Sequence, residues 1–167
     1  MVSAIRFRAT VAAVVTCALV LVTGSTPAWA DVGDRAAREE LRRYLSTHPG
    51  GTPINDNEIS YGDGAFVVTL RAPVGTYGVA DCPQGWYCFY DRPSYGYPRG
   101  RLSDCGRQSL STWDWQFRVE SAHYNLASGS VSFYYHGTWL FDVGAANRVR
   151  SDASPYRNWA NYVDRRC

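Results

Sequence analysis

Lysine is absent from this chain, and all 17 basic residues are arginine. That absence reflects base composition more than physics. Others exclude more. After residue 22 no apolar run is long enough to cross a bilayer. No H-E-x-x-H, G-x-S-x-G or phosphate-loop motif occurs, so no common catalytic signature is present. No C-x₂-C pair occurs and the histidines do not cluster near the cysteines, which argues against a structural zinc site. Excess charge of either sign is also missing once the N-terminus is taken into account.

That N-terminus reads as a secretory signal over residues 1–30. Arg6 and Arg8 form a basic start, Val11 to Val22 an apolar run, and "STPAWA" a small-residue cleavage site with Ala28 and Ala30 flanking Trp29. Cleavage after Ala30 leaves 167 − 30 = 137 residues, enough for one domain with a real core. It also removes Arg6 and Arg8, leaving 17 − 2 = 15 basic against 15 acidic residues. A neutral chain has no field to attract nucleic acid or anionic lipid, so neither partner is expected, nor any membrane association after cleavage.

Four cysteines follow the signal, Cys82, Cys88, Cys105 and Cys167, an even number that suits two disulfides in an oxidising compartment. Three pairings are possible. Cys82–Cys88, closing a short turn, and Cys105–Cys167, tying the last residue back to the body, are favoured.

Asp34 to Thr47 reads as an amphipathic helix, with Asp34 as N-cap and Ala37, Leu41, Tyr44 and Leu45 as its apolar stripe. "HPGG" ends it. In "NEISYGDGAFVVTLRAP", Gly62 to Gly64 make a hairpin turn, and Phe66, Val68 and Leu70 alternate with Ala65, Val67 and Thr69. Residues 31–81 are therefore a helix-plus-hairpin leader. Residues 82–167 read as all-β, with aromatic and β-branched clusters broken by turn residues.

Within 82–167 the sequence echoes itself. "GWYCFYDRPSYG" at 85–96 matches "GSVSFYYHGTWL" at 129–140, aligning Gly85 with Gly129, Phe89 with Phe133, Tyr90 with Tyr134 and Tyr95 with Trp139. "WQFRVESAHYN" more loosely matches "NWANYVDRRC". The pattern implies a four-strand unit built twice, each half needing the other to bury its apolar face.

The motif C-P-x-G-x-x-C-x-Y at Cys82 to Tyr90, followed by Tyr95-Gly96, resembles the βγ-crystallin superfamily. More narrowly it is similar to the secreted actinobacterial peptidase inhibitor family I36. The resemblance implies a mainly β fold of two Greek keys at 82–167. It implies a folded hairpin in which Tyr90 or Tyr95 packs over a turn that Gly96 makes possible, with Trp139 and Gly144 as counterparts in the second half. It also implies a non-enzymatic protein that occludes an extracellular peptidase, with Arg92, Tyr95, Tyr97 and Arg99 as the candidate partner-binding loop. Two departures stand out. At the superfamily's calcium signature this chain has Phe117 in place of an oxygen ligand and Arg118 beside it, so no metal is expected, nor any cofactor. And no local cystine pinches an inhibitory loop.

His48 at a helix end, His123 in a strand and His136 in a turn read as structural. Asp114 and Glu120, the one nearby carboxylate pair among the aromatics, read as surface ion-pair partners of Arg101 or Arg118. "WDWQF" reads as a strand with Trp113, Trp115 and Phe117 on one face. An exposed aromatic row would suit carbohydrate or a cell envelope, or a toxin-like secreted module, which is the competing function class; a structural domain without a site is a third. The chain is expected to be a secreted monomer.

Overall fold

The computed structural model describes the backbone of residues 28–167 and side chains from residue 33. The segment read as a signal lies outside the described residues as far as residue 27.

The first element is a helix, α1 (Ala28–Thr47). It begins six residues before the predicted cap, so Asp34 lies inside the helix and not at its end. Ala28 and Ala30 are good helix formers, and the single Gly33 costs only about 1 kcal/mol, too little to stop the helix there. Ala37 and Leu41 are buried, and Tyr44 and Leu45 pack beside them against the main core, as the stripe predicts.

Eleven strands follow, all paired antiparallel: β1 (Thr52–Asn55), β2 (Glu58–Tyr61), β3 (Phe66–Thr69), β4 (Trp86–Arg92), β5 (Gly96–Leu102), β6 (Gly106–Ser109), β7 (Ser121–Asn125), β8 (Ser130–Tyr135), β9 (Thr138–Gly144), β10 (Val149–Arg150) and β11 (Tyr162–Arg166). They form a seven-stranded sheet, β1-β2-β3-β5-β4-β7-β10, and a four-stranded sheet, β6-β11-β8-β9. The Gly62–Gly64 turn joins β2 to β3 in a hairpin, with Tyr61 opposite Phe66. β3 then pairs with β5, Phe66 opposite Leu102, so the sheet runs without a break across residue 81.

Two runs of four strands exchange their third members. In β4-β5-β6-β7, strand β6 leaves its neighbours and pairs with β11. In β8-β9-β10-β11, strand β10 pairs with β7. Each run therefore needs the other to complete its sheet. Matched residues of the sequence echo meet across the core: the Phe89 and Phe133 rings lie 6.2 Å apart edge to face, and both are fully buried. Gly85 and Gly129 both take left-handed φ, 87° and 82°, at the entrance to β4 and β8.

Between the sheets Phe66, Phe89, Trp113, Trp115, Phe133 and Phe141 form one aromatic core. Phe66 stacks on Trp113 at 4.9 Å, Phe89 meets Trp115 at 5.3 Å, and Phe133 stacks on Phe141 at 4.5 Å. Burial of each such ring contributes roughly 1.5–3 kcal/mol.

"WDWQF" is not a strand. Leu110–Trp113 is a 3₁₀ turn, and Asp114 (φ 55°) and Phe117 (φ 62°) are left-handed. Trp113 and Trp115 are still buried, but Phe117 faces solvent. The alternation was mimicked by a kinked loop that drops two indoles into the core.

Candidate functional site

The tyrosine-rich segment is built around a carboxylate. Asp81 accepts hydrogen bonds from the Tyr90 hydroxyl (2.9 Å) and the Tyr97 hydroxyl, and pairs with the Arg99 guanidinium at 3.0 Å. Arg99 also donates to the Asp81 carbonyl (2.9 Å) and to Thr69 Oγ1 (3.1 Å). Burial, and then the neighbouring Asp81 charge, push the Tyr90 hydroxyl well above the usual tyrosine range. Burial does the same for Tyr97. Immediately after Asp81, the Cys82–Cys88 cystine closes its turn onto β4, with a Cα–Cα distance of 5.6 Å. The Cys82 N–H donates to His123 Nδ1 at 3.0 Å, and Asn125 Nδ2 donates to the Cys82 carbonyl at 2.7 Å. The second cystine, Cys105–Cys167, ties the C-terminus to the start of β6. Both favoured pairings are present.

The β4–β5 hairpin carries the predicted loop. Tyr90 packs edge to face on Tyr95 at 5.5 Å and on Tyr97 at 5.9 Å, making the aromatic corner. The glycine's role differs from expectation. Left-handed angles fall on Ser94 (φ 52°) and Tyr95 (φ 58°), not on Gly96. Gly96 is needed for room, because a Cβ there would lie 2.7 Å from the Arg92 Cβ. In the second half the turn is His136-Gly137 (φ 45° and 92°), while Gly144 lies at the far end of β9. Of the four loop residues, Arg92 is exposed, and Tyr95 and Tyr97 are half-buried. Arg99 is only 5 % exposed and committed to Asp81, so it offers no free anchor.

What the sequence reading missed is the segment just before, residues 71–80. Val74 is fully exposed, Tyr77 is 82 % exposed and Val79 51 %. Two turns hold this loop, through Thr76 N–H to the Pro73 carbonyl (3.1 Å) and Val79 N–H to the Thr76 carbonyl (3.0 Å). Both ends are fixed. Asn57 bonds the Arg71 backbone on one side, N–H to Oδ1 at 2.9 Å and Nδ2 to the carbonyl at 2.9 Å. Asp81 and the cystine hold the other. Between the loop and α1 lies a groove of about 540 Å³ lined in part by Glu40, Arg43, Tyr44, Arg71, Tyr77 and Arg92. The only sequence sign was that Val74 and Tyr77 fit no strand period and sit beside Gly75 and Gly78.

A second exposed feature is an aromatic cleft. Phe117, Tyr135, Asn158 and Trp159 line about 340 Å³. The loops that form it lock crosswise: Phe117 N–H donates to the Ala160 carbonyl (2.8 Å) and Asn158 N–H to the Val119 carbonyl (3.0 Å).

The histidines and carboxylates do other work. His48 stacks on Tyr44 at 4.1 Å and lies 2.7 Å from Arg118 Nη1 through Nε2. Arg118 grips Asp91 with two hydrogen bonds (3.1 and 3.0 Å) and lies over Trp115 at 4.6 Å, pinning the end of α1 to the β-domain. Asp114 and Glu120 do not pair with Arg101 or Arg118: Arg101 pairs with Glu58 (2.6 Å), Asp114 lies 3.7 Å from His48, and Glu120 accepts from Asn158 (2.6 Å). Among the described residues no group of three or more His, Cys, Asp or Glu could hold a metal ion, and no helix is long and apolar enough to cross a membrane.

Comparison with known proteins returns no matching family model, no matching curated protein and no matching solved structure.

Proposed function

We propose that this chain is a secreted, non-enzymatic binding protein of the peptidase inhibitor I36 type, whose two four-strand runs form a βγ-crystallin-like pair of Greek keys. The reciprocal exchange of β6 and β10 supports the fold, since it makes two similar units into one body. The two cystines suit an oxidising, extracellular setting.

One observation carries the function. The 71–80 loop presents Val74, Tyr77 and Val79 to solvent while both of its ends are fixed. An exposed aromatic between two aliphatics is an interface anchor. A loop whose turns are already closed loses little further entropy on binding. Such a loop can lie in a peptidase cleft and exclude substrate by occupancy. Arg92, at the neighbouring hairpin tip, and Tyr97 line the same groove and extend that surface.

The test is inhibition by the secreted chain of a thermolysin-like metallopeptidase and a subtilisin-like serine peptidase. Inhibition of at least one at micromolar concentration is expected. Tyr77→Ala should weaken it at least tenfold, with thermal stability unchanged because the ring is exposed. Failure to inhibit either class, or inhibition indifferent to both Tyr77→Ala and Val74→Asp, refutes the assignment.

A further inference from the structure

The aromatic cleft takes no part in the loop just described. Its lining is unusual for a surface. Phe117 is 42 % exposed, Trp159 49 % and Tyr135 38 %. Tyr135 meets Phe117 at 6.2 Å and 62°, and Trp159 at 5.8 Å and 54°. Tyr135 therefore touches both other rings in tilted or edge contact, and the three form one continuous, partly exposed aromatic wall. Folding alone would favour burying them.

The backbone adds a second observation. Phe117 is held at φ 62° and Asn158 at φ 60°. A bulky residue in the left-handed region costs roughly 1–2 kcal/mol. Phe117 packs edge to face on Tyr135 yet keeps 42 % of its surface exposed, so only part of that cost is offset by burial. Strain of this kind at a surface residue points to a role for the exposed part of the ring.

The polar group in the lining defines what the cleft could hold. Asn158 Nδ2 donates to Glu120 Oε1 at 2.6 Å. That bond fixes the amide and leaves Asn158 Oδ1 and its second N–H available, with Glu120 Oε2 beside them. Glu120 itself is clamped through its backbone, N–H to the Tyr90 carbonyl (2.9 Å) and carbonyl to the Ala153 N–H (2.7 Å). Arg157, next to Asn158, is committed to Asp152 by two hydrogen bonds (2.8 and 2.7 Å). It holds the Asp152 carboxyl down at about 2, so the pair stays ionised across the physiological range.

From these features we infer that the Phe117–Tyr135–Asn158–Trp159 cleft is a binding site for a neutral pyranosyl oligosaccharide. Ring faces suit the axial C–H face of a pyranose, and a fixed amide beside a carboxylate matches the donors and acceptors of adjacent hydroxyls. The carboxylate of Glu120 disfavours acidic sugars. About 340 Å³ sits near the lower end of ligand pockets and fits one or two sugar rings. Peptide recognition by an added strand, a helix groove or a polyproline track needs a longer surface than four residues provide. The site would let the protein concentrate on a polysaccharide surface, independently of any peptidase.

The experiment is titration calorimetry of the full secreted chain with chitotriose and cellotriose, and in a separate arm with hexaproline peptide. Binding of at least one trisaccharide in the micromolar-to-millimolar range is expected. Trp159→Ala and Asn158→Gly should each weaken it at least tenfold; Asn158→Gly keeps the aromatic walls and suits the left-handed backbone (φ 60°), and so separates recognition from loss of fold. Tyr77→Ala should leave sugar binding intact, while Trp159→Ala should leave peptidase inhibition intact. That crossing distinguishes failure of this site from failure of the inhibitory reading. No binding of either sugar, hexaproline binding in their place, or sugar affinity unchanged in Trp159→Ala overturns the inference.

Discussion

Asp81 holds the base of the exposed 71–80 loop, and its removal is the sharpest test of the site's construction. Its side chain is 13 % exposed and that of Arg99 6 %, so their 3.0 Å contact is a nearly buried ion pair. Asp81→Ala also takes the acceptor from the Tyr90 and Tyr97 hydroxyls. Arg99 keeps the Asp81 carbonyl and Thr69 Oγ1, but its Nε already lacks a partner. Breaking one side of a buried pair costs about 3–5 kcal/mol. The retained contacts place this case near the lower bound, about 3 kcal/mol. At about 3 °C per kcal/mol or more for a domain of this size, Tm should fall by roughly 10 °C. Asp81→Asn, which keeps one acceptor but no charge, should fall between Ala and wild type. Urea denaturation at pH 7 without reductant measures the loss. A double-mutant cycle with Tyr97→Phe assigns it: Tyr97→Phe should cost about 1 kcal/mol alone and close to nothing once Asp81 is gone. A loss under about 1 kcal/mol for Asp81→Ala, or additive effects in the cycle, would show that the network does not hold the segment and that the reasoning is wrong.

Burial raises the hydroxyl pKa values of Tyr44, Tyr61, Tyr87, Tyr90 and Tyr97, so the unfolded chain loses these protons first. Stability should be intact below pH about 10 and fall steadily above it, read by chemical denaturation at pH 9 and pH 11. His123 behaves oppositely: burial lowers its pKa, and Nδ1 must stay unprotonated to accept the Cys82 N–H. Stability should decline as pH falls below about 6.5 and drops through the lowered folded-state value. His123→Gln should remove that part of the acid sensitivity. The Cys105–Cys167 cystine closes 62 residues. Its replacement by two serines should cost about 4 kcal/mol on the chain-entropy model, measured by urea midpoint, with β11 the first strand to lose amide protection.

The loop residues show where sequence reading runs out. The resemblance marks Tyr90 or Tyr95 as the corner, whereas Tyr97, read as a partner-binding residue, packs on Tyr90 and donates to Asp81. Arg99 reads as a surface anchor until the fold brings Asp81 and Thr69 around it. Trp113 and Trp115 alternate like strand residues, yet the left-handed Asp114 between them makes a kink that period counting cannot see. Phe117 and Trp159 lie 42 positions apart, and only the crosswise hydrogen bonds of their two loops place them in one cleft.

Local chemistry determined what local chemistry can: two cystines at Cys82–Cys88 and Cys105–Cys167, one amphipathic helix, a hairpin at Gly62–Gly64, and a β-rich remainder with a repeated aromatic strand. All but Cys105–Cys167 follow from spacing, period and turn residues, which act over a few neighbours; that cystine spans 62 residues and reads only as the favoured partner of the short Cys82–Cys88 turn. The exchange of β6 and β10 between sheets, the pairing of β3 with β5 and the opposition of exposed Tyr77 to buried Arg99 were decided by tertiary structure alone. Each depends on which apolar faces meet and which charges lose water, and those energies arise only between residues that the chain holds far apart.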